Sequence, residues 1–240
     1  MTHHAVPPVW FRLPPGFHDI GPEDRGALEE VAGVLEGLAG LGDGTDPAAG
    51  AAAGVTAGAP AGTGAGSQLA LLMDRLDELA GHPGLHLVHT AIGLHPEGPE
   101  AVSTSLFSLS VRPAEEPGSG TGAAAGVART ALALARSAPG SGSTRRFVEL
   151  ASGLPCALVC GVVPASGTDR GLFQARAVTA HPEGRHLFLL DLTSAATEHA
   201  GAYTAILEAV AHTISFADPG PRKPGPQGGA GTSRILELLG

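Results

Sequence analysis

Four runs rich in Val, Leu, Phe and other strand-tolerant residues follow one another at residues 145–151, 155–163, 171–180 and 185–192, with Gly or Pro punctuating the gaps. That is a meander signature, and the rest of the chain reads as cover for the sheet it makes. In the third run Phe173, Ala175 and Ala177 share one face while Gln174 and Arg176 share the other, the period of two of a half-buried strand. The second run is almost continuously apolar, which predicts the central strand. The turn His181-Pro182-Glu183-Gly184 carries Pro early and Gly late, as a tight hairpin requires. After Leu192, Thr193 or Ser194 offers a helix N-cap, and Tyr203, Ile206, Leu207, Val210 and Ile214 then form one apolar stripe at helical spacing.

Upstream, residues 6–17 hold four prolines together with Trp10, Phe11 and Phe17, a composition suited to an extended arm. The arm either packs back on the domain or meets a partner. Leu28, Val31, Leu35 and Leu38 predict a helix over 22–41, and the Gly/Ala/Thr/Pro tract that follows has no periodicity and is expected to be a disordered linker. A second helix starts at Ser67 and ends at Gly81. Residues 85–94 and 102–111 read as a hairpin, with a helix over 123–137 after it. Four segments result: arm and first helix at 1–41, linker at 42–66, α+β core at 67–217, and a Gly/Pro linker with a short apolar tail at 218–240. The expected fold is α+β, an antiparallel sheet of about six strands with flanking helices (ββαββββα) plus two amino-terminal helices.

The formal charge of −9 is uneven, with 13 acids and 3 bases in residues 1–100 against 10 acids and 11 bases in residues 101–240. An acidic chain without a basic stripe argues against a nucleic-acid partner, because phosphate neutralisation needs clustered Lys and Arg. No apolar run approaches the roughly 20 residues of a membrane span, and a cytoplasmic location is expected. Cys156 and Cys160 are four residues apart, roughly 13 Å along a strand, too far for a disulfide. They read as reduced core thiols. Arg145 and Arg146 point to opposite faces of their strand and look like solvation of a sheet edge.

His86 and His89 would face opposite sides of a regular strand, and no HExxH, Walker, GxGxxG or GxSxG pattern is present, so neither a cofactor nor a resident metal is expected. The element order, with the Gly153–Val159 strand and a last helix ending in Ile214-Ser215-Phe216, resembles the PsbP-like fold family, which includes LpqN-type actinobacterial proteins. That resemblance implies a binding or assembly factor. The leading expectation is a non-enzymatic accessory protein that engages another protein, as in a secretion or multiprotein assembly. Its contacts would be Trp10, Phe11, Leu13 and Phe17 of the arm and Ile235, Leu236, Leu238 and Leu239 of the tail. One alternative is a small-molecule or metal-binding enzyme or sensor using His181, Glu183, Arg185, His186 and Asp191. Another is a structural subunit of a homo-oligomer joined through an exposed sheet edge.

Overall fold

The computed structural model describes residues 6–21, 24, 26–30, 32, 65–96, 102–114, 122–137, 143–165 and 170–218. Seven strands form one sheet: β1 (Phe17–Asp19), β2 (His86–Pro96), β3 (Val102–Pro113), β4 (Thr144–Glu149), β5 (Pro155–Pro164), β6 (Gly171–Ala180) and β7 (His186–Ser194). Their order across the sheet is β1-β2-β3-β7-β6-β5-β4, and every neighbouring pair is antiparallel. Three helices, α1 (Ala65–Ala80), α2 (Ala123–Ser137) and α3 (Ala200–His212), flank it, and residues 26–30 are also helical. This is the expected α+β class, with a seventh strand, β1, drawn from the proline-rich arm. The expected linker beyond residue 41 lies outside the described residues up to residue 64, and the apolar tail lies outside them entirely.

Both faces of the sheet are buried over its central strands. On the front face Phe107, Phe173, Leu158, Phe188, Leu190 and Leu192 meet Tyr203, Leu207 and Val210 of α3 and Ile214 beyond it. Ala175 and Ala177 of β6 keep that strand low, which leaves room for α3 above it. The arm covers the β2–β3 side, where Val9, Phe11, Leu13 and Phe17 pack on the same core. On the back face α1 sets Leu69, Leu72 and Met73 against Ile92 and Leu106, together with Leu28 and Ala32. Next to it α2 sets Val127 and Ala131 against Val159, Val178, Leu187 and Leu189.

Two-sided burial corrects two sequence expectations. β5 is next to the edge and β7 is central, because a continuous apolar run reports cover on both faces rather than position in the order. β6 is not half-buried, since Leu172, Val178 and Ala180 of its Gln174/Arg176 face are covered by helices. A third correction concerns β2, whose register with β3 shifts between Leu87 and His89. Val88 is the extra residue of a bulge, and His86 and His89 fall opposite Val111 and Leu109, on one face instead of two. Finally, β7 continues through Thr193 and Ser194, so neither caps a helix. A single 3₁₀ turn, Thr197–His199, intervenes before α3.

The hairpin turn expected at residues 181–184 is present, with Gly184 at φ 71° and its N–H donating to the His181 carbonyl at 2.8 Å. Gly93 is required for a different reason. A Cβ there would lie 2.5 Å from Ser105 Oγ and 2.9 Å from Phe17 Cε1, so the arm seats on β2 only because this residue has no side chain.

Leu207 is fully buried between α3 and the front of the sheet. Leu207→Ala should lower the unfolding free energy by about 2–5 kcal/mol through lost burial and a residual cavity, with an unchanged urea m-value.

Candidate functional site

The two edges of the sheet are finished differently. β1 is three residues long, follows Pro14 and Pro15, and carries Asp19 beside His89, all features that blunt an edge. β4 has six residues and no proline, and its register with β5 is unbroken. The Leu150 N–H donates inward to the Leu154 carbonyl at 2.9 Å, continuing that register. By antiparallel alternation, residues 144, 146 and 148 turn their backbone groups to β5, whereas Arg145, Phe147 and Glu149 turn both N–H and C=O outward. The same three side chains stand on the back face, opposite Val159, Ala157 and Pro155. Phe147 is 63% exposed. On the front face Arg146 is taken by a salt bridge to Glu208 of α3, and Val148 packs into the core. The edge therefore carries one exposed aromatic ring flanked two residues away by a cation and an anion. Sequence reading found the edge arginines but passed over Phe147. An aromatic residue set among charged neighbours in a short strand was the available signal.

A second polar assembly lies on the back face, where β3, β7 and β6 run between the two helices. Asp191 is 3% exposed and accepts a hydrogen bond from Arg176 Nε at 2.7 Å. Ser108 pairs with Asp191 in register, and Thr193 pairs with Gln174. Ser108 Oγ, Ser110 Oγ, Thr193 Oγ1 and Gln174 Nε2 are buried with no hydrogen-bond partner among the described residues. Arg112 donates to Thr130 of α2 at 2.8 Å. This row can hold register and orient the helices, because a one-residue slip would push the ion pair into the apolar front core.

The hairpin residues named from sequence are only partly brought together. His181 and His186 sit opposite one another at the β6–β7 turn, with the His181 N–H donating to the His186 carbonyl at 2.9 Å, and Glu183 and Arg185 lie in that turn. The His181 ring packs on Phe216 and Phe188, with centroids 4.9 and 6.4 Å away. Asp191 does not join them. It lies five residues along β7, roughly 16 Å away, and on the opposite face. Among the described residues no group of three or more His, Cys, Asp or Glu is placed to hold a metal ion. His95 Nε2 and Ser105 Oγ are 2.7 Å apart, but Ser105 is 0% exposed and has no approach for a substrate.

The arm residues named from sequence sit on the domain. Trp10 exchanges two backbone hydrogen bonds with Ser215, each 2.9 Å, and the Phe11 ring lies 5.1 Å from His89 and 5.6 Å from Phe107. Leu13 and Phe17 pack against the front core. Ile235, Leu236, Leu238 and Leu239 lie outside the described residues. Cys156 and Cys160 are buried free thiols. Burial pushes Cys156 up to about 12, and it raises Cys160 too, against hydrogen bonding from Thr204. Neither is a nucleophile at neutral pH. Burial among aromatic rings also lowers the His89 pKa, partly offset by Asp19, whose Oδ1 is 3.3 Å away but off the hydrogen-bond direction.

No family model and no curated protein matches this sequence. Among solved structures, LpqN, involved in cell envelope biogenesis of Mycobacterium tuberculosis, is similar at 13% identity with a TM-score of 0.37, covering 56% of this chain and 79% of that one. A protein of unknown function from Pseudomonas aeruginosa, PA94, is similar at 15% identity with a TM-score of 0.33, covering 52% and 94%. These are distant likenesses, and overlaps of this extent carry no conclusion about family or function. Among the described residues no helix is long and apolar enough to cross a membrane.

Two measurements check this electrostatic description. Asp191→Ala should destabilise the fold by about 3–5 kcal/mol by leaving Arg176 uncompensated, and the double variant Arg176→Leu/Asp191→Leu should cost less than the single one, by urea unfolding. For His89 the folded pKa lies below the unfolded value, so the unfolded chain binds the extra proton. Stability should be full above about pH 6.5 and fall as pH drops through the lowered folded value. His89→Gln should flatten that part of the urea-midpoint profile.

Proposed function

We propose that this chain is a non-enzymatic binding protein that engages another polypeptide by strand addition at β4. The supporting observation is the outward-facing backbone of Arg145, Phe147 and Glu149, unpaired among the described residues, with an exposed Phe147 at its centre. An incoming strand satisfies those backbone groups with a ladder, and alternate side chains set its specificity. The basic-aromatic-acidic order of the edge favours a strand that presents an acid and a base in the opposite sense. The arm acts as cover for the front of the sheet in this reading, so β4 takes the docking role that the sequence suggested for the arm.

Phe147→Pro removes one outward N–H without touching the inward ladder, because the Phe147 N–H is not bonded to β5. Full-length wild-type and Phe147→Pro baits, matched for thermal unfolding, should be compared in host extract, with amide exchange measured at residues 145, 147 and 149. A polypeptide retained by the wild type, lost with the variant and protecting those amides is expected. Equal retention by both baits, or no protection, would overturn strand addition.

A further inference from the structure

Strand addition leaves open what the added strand is, and the chemistry of the edge points to one occupant. We infer that β4 pairs with β4 of a second copy of this chain, in antiparallel register centred on Phe147. This rests on the strand-addition reading.

The register follows from which groups are free. Only Arg145, Phe147 and Glu149 present both N–H and C=O outward, so a self-pairing ladder must match these residues with one another. Centring on Phe147 uses all three: Phe147 faces its own copy, and Arg145 faces Glu149 of the second chain twice over. That arrangement makes about six backbone hydrogen bonds. Neighbouring registers of the same type leave one of the three residues without an outward-facing match.

Side-chain chemistry selects the same register. All three side chains stand on the back face, so each Arg145 meets a Glu149 carboxylate directly across the strands, and the two Phe147 rings meet over the symmetry axis. β4 contains no proline, Phe147 stands between charges of opposite sign, and the one charge on its core-facing side, Arg146, is neutralised by Glu208 of α3. α2 sits mainly over β5 and β6 and touches β4 less, and α3 sits over β6 and β7, so these helices leave the outer side of β4 clear. The axis is then perpendicular to the sheet, the interface is isologous, and the two sheets become one continuous sheet. An edge contact of this length falls at the low end of interface sizes, so association should be in the micromolar range.

The test is sedimentation velocity of the full chain from about 1 µM to about 500 µM, a span that covers micromolar affinities. Wild type should dimerise, and Phe147→Pro should stay monomeric with unchanged thermal unfolding. Arg145→Glu and Glu149→Arg each turn two attractive pairs into repulsive ones, so each should weaken self-association about 10-fold or more. Mixed one to one, these two variants again set an acid opposite a base at both cross-strand positions, and dimers should return to near the wild-type constant. Wild type monomeric throughout would overturn the inference, as would dimers that the single charge reversals leave untouched or that mixing does not restore. If the inference fails while Phe147→Pro still abolishes capture from extract, strand addition stands with a different strand. If capture is unaffected as well, both fail.

Discussion

Every part of this molecule answers to one constraint: the central strands bury side chains on both faces, so each face needs its own cover. The back face is covered by α1 and α2, which come from segments lying on either side of the β2–β3 hairpin. The front face is covered from opposite ends of the described chain, by the arm on the β2–β3 side and α3 over β6 and β7. These covers are joined by the Trp10–Ser215 bridge and by the Arg12 N–H donating to Thr213 Oγ1 across 201 residues. Front-face burial is thus coupled to closure of a very long loop, whose entropy is recovered only when both covers are seated.

Polar groups inside such a sandwich carry costs that shape the fold. The Arg176–Asp191 pair and the hydroxyls around it lie on the back face of β3, β7 and β6. A buried pair of this kind adds little net stability compared with an apolar substitute, but it penalises other registers heavily. In a meander of similar strands, that penalty distinguishes one alignment from its slipped neighbours. The two edges show the same division. β1 is short and follows two prolines, while β4 is longer and has an ordered row of backbone donors and acceptors on its outer side.

Much of the architecture was readable in advance. The β6–β7 hairpin and its Gly184 turn were visible because each depends on residues within a few positions of one another, and so was helix α2 over residues 123–137. Three features were not. The bulge at Val88 moved His89 to the face of His86, and a pattern of two carries no mark for one inserted residue. The order of strands put β5 beside the edge because apolar density measures how many faces are covered, not where a strand lies. Asp191 left the His181/His186 group because five residues along a strand change both height and face.

The sequence by itself determined most of the strands and helices, the sites of tight turns and the separation of the two cysteines, since these depend on local sterics and on the period of apolar residues, whereas β1 became a strand only through pairing with β2. Tertiary structure alone decided which edge stays open, which polar groups are buried together and which aromatics become cover. Phe147 and Phe11 are equally apolar in sequence, yet one lies exposed in the edge strand and the other packs from the arm against Phe107. That difference comes from strand order and from pairing between residues far apart in the chain, and no local pattern encodes either.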